Sequence, residues 1–222
     1  MSRLLEAEGL VLDRVSAGEH HLRLTLLTPA PGLLIAMLRE SRGAGKNSRA
    51  ASPSATRPDV FDLAAVILEA PKPGAAHGTV HFVREYKVLR RHAGLGARYP
   101  ALAAASALAS LVARHAIHFE TCAHVFALCR QAFAALDDGS PPEAVHLKAL
   151  FILAHTQGYP AREQWLALLS PDDRTLALTI LGQPAADASR LSPADTARLP
   201  QLRQACEHWL AEHTDLDPFC VA

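Results

Sequence analysis

The chain has no excess charge of either sign. Lys and Arg total 22 and Asp and Glu total 22, so the formal net charge is zero. A uniformly basic nucleic-acid coat is therefore excluded, and any such role rests on local clusters. Aromatic residues are scarce at 5% of the chain, which leaves few rings for stacking. Cysteine is limited to Cys122, Cys129, Cys206 and Cys220, with no CxxC spacing among them. That pattern excludes a paired-cysteine zinc ribbon or a dithiol redox motif. Long apolar runs are missing too. The charge-free stretch at 99–113 is short and alanine-rich, as in a buried helix rather than a membrane span. Glu6 and Glu8 stand where a signal peptide needs an apolar run. A cytoplasmic protein with reduced thiols is expected.

Half of the residues are hydrophobic and a fifth are charged, a composition that can bury a sizeable core. The hydrophobic pattern changes along the chain. Residues 6–15 are apolar and partly β-branched, and Ser16-Ala17-Gly18 follows as a turn. At 21–28, Leu22, Leu24 and Leu26 alternate with His21, Arg23 and Thr25, the period of a half-buried strand. The Thr28-Pro29-Ala30-Pro31-Gly32 turn leads to a third run at 32–38. A loop at 39–58 separates it from apolar runs at 60–68 and 78–89, with Pro71-Lys72-Pro73-Gly74 between these two. Five short strands of this kind predict a small barrel over residues 1–89, with the five-stranded OB-fold the commonest example.

From Pro100 the period becomes helical. Leu102, Leu108, Leu111 and Val112 share one face, and Cys122, Val125, Phe126, Cys129, Phe133 and Leu136 recur at three- and four-residue spacing. Ser140-Pro141-Pro142-Glu143 reads as a capping box opening a helix that ends at Gly158. Ser170-Pro171-Asp172-Asp173 opens another that closes at Gly182, and a last helix is expected at 200–213. The fold class is thus α+β: an N-terminal five-stranded barrel, then an all-helical domain over 90–222.

Charge gathers in two places. Segment 39–58 holds Arg39, Arg42, Lys46, Arg49 and Arg57 against Glu40, and segment 84–98 holds Arg84, Lys87, Arg90, Arg91 and Arg98 against Glu85. Lys and Arg on a barrel loop displace the counterions condensed on phosphates. The bland alternative is a solvated loop. Among the aromatics, Phe61, Phe82, Tyr86 and Tyr99 are candidates for base stacking. The alternation assigns Phe82 to the core and leaves Tyr86, flanked by basic residues, as the better platform.

No catalytic motif emerges. Gly43-Ala44-Gly45-Lys46 lacks the earlier glycine of a P-loop, since Glu40 stands there, and Ser52-Pro53-Ser54 follows where a helix is needed. Cys122 and Cys129 share an apolar face and read as core thiols. His115, His118, His124 and Glu120 form a thinkable metal or acid–base cluster, but twelve histidines make chance proximity common. Cys206 and His208 lie too close in a helix to act as a nucleophile–base pair. A hydrolase or metal enzyme built on the histidines is the least favoured reading.

Glu8-Gly9-Leu10-Val11-Leu12, then Leu24-Thr25-Leu26-Leu27-Thr28-Pro29 with Gly32-Leu33-Leu34, and the loop Arg42-Gly43-Ala44-Gly45-Lys46-Asn47-Ser48 resemble segments of the RecO family of recombination mediators. In the helical half, Leu147-Lys148-Ala149-Leu150-Phe151-Ile152-Leu153 closing on Gly158-Tyr159-Pro160 is similar to that family's helix ending in Gly-Tyr. The sequence departs from the family in two respects. Trp165 stands where the first of four zinc-binding cysteines occurs in many members, and the loop begins Ser41-Arg42-Gly43 rather than with Lys-Gly. The resemblance implies an OB-fold protein of DNA repair and recombination, without catalytic activity, metal or cofactor. Such a protein binds single- and double-stranded DNA and anneals strands. It works with RecR to load recombinase and engages the C-terminal tail of single-stranded DNA-binding protein. Arg39, Arg42, Lys46, Arg49, Arg57, Arg84, Lys87, Arg90 and Arg91 would contact DNA, and Lys148 would meet the tail's carboxylate. A cytoplasmic, nucleoid-associated location follows. The rival expectation is a protein-interaction module whose barrel no longer binds DNA.

Overall fold

A computed structural model describes residues 4–39, 57–70, 80–116, 119 and 122–219. The chain forms two compact units, Met1–Arg91 and His92–Ala222.

The first unit contains strands β1 (Leu4–Ser16), β2 (His21–Leu27), β3 (Leu33–Arg39), β4 (Leu63–Glu69) and β5 (Val80–Arg90). They close on themselves in the order β1-β2-β3-β5-β4, with β3 and β5 parallel and the other pairs antiparallel. Closure depends on β1, which is 13 residues long and serves two partners. Its first half pairs with β4 from Leu4↔Glu69 to Leu10↔Leu63, and its second half pairs with β2 from Leu10↔Leu27 to Ser16↔Leu22. A register shift between Val11 and Asp13 bends it where it changes partner. The period-two pattern then fills the interior with Leu22, Leu24 and Leu26 from β2, Leu34 and Ala36 from β3, and Ala64, Val66 and Leu68 from β4. The β2–β3 turn is fastened by Thr28, whose hydroxyl donates to the Gly32 carbonyl at 2.9 Å and accepts from its N–H at 3.2 Å.

Two strand expectations are corrected. The run predicted from residue 60 begins as a strand only at Leu63. Before it, Phe61 takes a positive φ of 70° and the Asp62 carboxylate accepts the Asp59 N–H at 2.9 Å, making a tight loop. Phe82, assigned to the core, is 52% exposed on the outside of β5. Tyr86 instead packs against the core cluster. Phe82 is turned outward because its neighbours His81 and Val83 face inward, and a register shift of β5 against β4 between Ile67 and Leu68, after Val83, brings Tyr86 to the core side.

The second unit contains α1 (Ala93–Ala97), α2 (Tyr99–His115), α3 (Cys122–Asp137), α4 (Pro142–Thr156), α5 (Ala161–Leu168), α6 (Pro171–Gly182), a 3-10 helix (Ala185–Arg190) and α7 (Pro193–His213). α4 is the central element. It packs against α2, α3, α5, α6, α7 and the 3-10 helix, which explains its apolar character on every side. α1 reaches α3 so closely that a Cβ on Gly94 would stand 2.8 Å from Asp137 Oδ1, the atom that accepts the Gly94 N–H.

Helix caps follow side-chain chemistry with one correction. Ser170 caps α6 by accepting the Asp173 N–H at 3.2 Å. Ser192, in the parallel Ser-Pro-x-Asp pattern, accepts from Asp195 at 3.1 Å, so α7 starts at Pro193 and carries Pro200 inside it. The expected capping box at Ser140 does not form. Pro141 holds the N-cap position, so Ser140 is one residue too early and makes no cap bond. Gly158 does end α4, with φ of 83° and the following Tyr159 N–H donating to the Ala154 carbonyl at 3.1 Å. Among the described residues, no helix is long and apolar enough to cross a membrane.

Candidate nucleic-acid interface

The barrel's outer surface has two walls of opposite chemistry. On the first, the ladders align Val15↔Arg23, Arg23↔Met37 and Met37↔Phe82, with His21↔Arg39 beside them. Strand alternation turns these side chains outward because their neighbours Leu22, Leu24, Ala36 and Leu38 face the core. Arg23 and Arg39 are exposed, Phe82 is 52% exposed and Val15 is 42% exposed. Neither Arg23 nor Arg39 makes an ion pair or side-chain hydrogen bond among the described residues. Two open guanidinium groups thus share a wall with an exposed ring.

Asp13, exposed and paired with Thr25, is an acid of this first wall, but the second wall carries more of them. Across β1, β4 and β5 the rows run Glu6–Ile67–Glu85 and Glu8–Ala65–Lys87. Glu6, Glu8, Glu85 and Lys87 are exposed. Lys87 makes no ion pair among the described residues, yet it stands in one row with Glu8, across Ala65, on the acidic side.

The structure distributes the sequence-predicted basic residues unevenly. Arg39 belongs to the basic wall. Arg42, Lys46 and Arg49 lie outside the described residues. Arg84 forms an ion pair with Glu69. Arg57 is exposed and Arg90 half-buried. Arg91 is committed to the fold. Its Nε donates to Asp62 Oδ1 at 3.0 Å, and its Nη2 donates to Asp62 Oδ2 and the Arg57 carbonyl, each at 2.8 Å. The Asp62 side chain is 1% exposed, so Arg91 neutralises a buried carboxylate. Tyr86 joins the same network, donating to Asp62 Oδ2 at 3.3 Å. Burial and the Asp62 charge raise its pKa. A phenol held this way is not the stacking platform expected from its basic neighbours.

Arg23 and Phe82 are the functional candidates that segment-by-segment charge counting passes over. The signal for Arg23 was present in the alternation of β2. Its partners Met37 and Phe82 come from strands far away in sequence.

In the helical unit, a groove of about 460 Å³ is lined by Leu128, Ala132, Ala135, Val145, Ile152 and Lys148, among others. Lys148 is spoken for at its rim. Its ammonium donates to the carbonyls of Ile180 at 3.4 Å, Leu181 at 3.1 Å and Gln183, closing the C-terminus of α6. Burial lowers its pKa. Cys129 and Cys206 are buried free thiols whose pKa values burial pushes up to about 12. The histidine cluster is not assembled from what is described: His124 is exposed, while His118 and Glu120 lie outside the described residues. No group of three His, Cys, Asp or Glu among the described residues is arranged to hold a metal. No protein-family model and no curated protein matches the chain.

Proposed function

We propose that the chain is a non-enzymatic nucleic-acid-binding protein of DNA repair and recombination, acting as a mediator of the RecO kind. The observation that carries this reading is the pair of open guanidinium groups, Arg23 and Arg39, beside the exposed Phe82 ring. The strand order β1-β2-β3-β5-β4 supports reading the barrel as an OB-fold, in which the face of strands 2 and 3 binds oligonucleotides. On this reading Arg23 and Arg39 hold phosphates while Phe82 stacks a base, a combination suited to single strands and tolerant of sequence. The segment holding Arg42, Lys46 and Arg49 continues the chain after Arg39 and extends the contact.

The helical unit is the partner-docking half of the proposal. Its apolar groove suits the C-terminal tail of single-stranded DNA-binding protein, with Lys148 turning from the α6 carbonyls to the tail carboxylate. RecR is the proposed co-mediator in recombinase loading, in a cytoplasmic, nucleoid-associated setting.

One observation favours a second reading, a protein-interaction module without DNA binding: Arg84, Arg91 and Lys148 are already paired within the chain. Gel-shift and strand-annealing assays separate the two. The wild-type chain is expected to bind single- and double-stranded oligonucleotides and speed annealing, and Arg23→Glu with Arg39→Glu to do neither. A wild-type chain that neither binds nor anneals leaves the protein-interaction module as the better account.

A further inference from the structure

The helical unit holds a second recess, of about 330 Å³, that neither the barrel wall nor the Lys148 groove uses. α2 lines it with Tyr99, Pro100 and small side chains including Ala103 and Ala107, which leave the space open. α4 contributes Glu143 and His146, and α7 contributes Arg203 and Glu207. Arg203 lies between the two acids: its Nε donates to Glu143 Oε2 and its Nη1 to Glu207 Oε2, both at 2.5 Å. Each carboxylate keeps its Oε1 without a partner among the described residues. Two acids against one guanidinium leave the recess one negative charge in excess.

His146 is the second, independent feature. It is 6% exposed, lines the recess, and makes no hydrogen bond among the described residues. Burial and the nearby Arg203 charge push its pKa down to about 4. It is therefore a neutral ring with one acceptor nitrogen. Tyr99, 81% exposed at the rim, presents an aromatic face. Excess negative charge disfavours a phosphate or carboxylate guest. With no three-ligand metal cluster among the described residues, the fitting cation is organic.

We propose that this recess receives one basic side chain, arginine or lysine, of a partner protein, its head hydrogen-bonded to Glu143, Glu207 and His146 and its stem lying against Tyr99. The guest supplies the donors that the free carboxylate oxygens and the imidazole lack, and the tyrosine ring adds a cation–π contact.

The test uses the full chain with a capped Gly-Arg-Gly peptide as probe, followed by NMR of the His146 imidazole. A capped Gly-Glu-Gly peptide and an oligothymidine serve as competing probes. The arginine peptide is expected to shift the His146 signal to saturation, and the glutamate peptide and oligothymidine to leave it in place. Tyr99→Ala removes only an exposed ring, so the fold is retained, and it should weaken the arginine peptide about threefold. Glu143→Gln should weaken it by a similar factor, about threefold, by removing one charge. The proposal is overturned by an arginine peptide that leaves His146 unmoved, by an equal shift from the glutamate peptide, or by unchanged affinity in both variants. A shift produced by oligothymidine would overturn it in favour of a base-binding recess. None of these outcomes depends on the barrel wall, so the two proposals fail separately.

Discussion

The two outer walls of the barrel are built from the same strand alternation but carry opposite charge. The β2–β3–β5 wall presents Arg23, Arg39 and Phe82; the β1–β4–β5 wall presents Glu6, Glu8 and Glu85 with Lys87 among them. A chain of zero net charge therefore still offers a phosphate backbone a favourable side. What matters to a polyanion is the field of one surface rather than the sum over the molecule. A second contrast lies within the cations. Arg84 and Arg91 are spent on Glu69 and Asp62, whereas Arg23, Arg39 and Lys87 have no such partner among the described residues. A basic residue that stabilises the fold is not available to a ligand, and mutation should separate the two kinds.

The largest expected effect breaks a spent pair. Arg91→Ala strands the buried Asp62 carboxylate and should cost about 3 kcal/mol, the low end for a buried pair because the Arg91 side chain is 39% exposed. Arg23→Ala should change stability by less than about 0.5 kcal/mol. Urea unfolding of the two variants checks this, and equal losses would erase the distinction between spent and open cations.

Next comes the ring. Phe82→Ala should weaken single-strand binding by about 2 kcal/mol, the worth of one base stacked on an aromatic. Leu89→Ala, which removes an exposed apolar side chain from the same strand beyond Lys87, should leave affinity alone. Oligonucleotide titrations of both variants decide between stacking on one wall and nonspecific apolar contact.

The helical unit buries a titratable group of its own in His146, and acid should reveal it. Its pKa falls from 6.5 to about 4 on folding, so between those values the unfolded chain binds the extra proton. Stability then rises with pH across this window and is lost on acidification. Between pH 6.5 and 5 the loss should be about 2 kcal/mol. His146→Gln should flatten that part of the urea-midpoint profile. A profile unchanged by the substitution would mean that the imidazole is not held neutral.

The smallest effect concerns the acidic wall. Glu6→Gln with Glu8→Gln should raise oligonucleotide affinity by no more than about threefold, since exposed charges at a distance are screened by salt. A large gain would show that DNA also crosses this wall.

The architecture was legible where a pattern is local. Leu22, Leu24 and Leu26 announce a strand, Ser170 before Pro171 announces a helix start, and Gly158 announces its end, because each signal lies within a few residues. The failures have non-local causes. Phe82 and Tyr86, four residues apart, face opposite sides because a register shift against β4 falls between them. Ser140 lost its capping role to the prolines after it. The start of α7 was hidden because Pro200 resembles a helix opening, although Ser192 supplies the cap. The basic wall was the least legible feature. Arg23 is joined to Met37 and Phe82 by pairing across three strands, whereas counting charge along segments directs attention to Arg91, which the buried Asp62 has already claimed.

The most direct test of the central claim is the salt dependence of single-stranded oligonucleotide binding, read by fluorescence anisotropy, for the wild type, Arg23→Ala with Arg39→Ala, and Lys87→Ala. If the basic wall holds phosphates, the wild-type affinity falls steeply with salt. The double variant should lose about 1.4 from the logarithmic slope, two contacts' worth on a single strand, and Lys87→Ala should keep the wild-type slope. Equal slopes in the wild type and the double variant, or no wild-type binding at low salt, would contradict the assignment of this wall as the nucleic-acid interface.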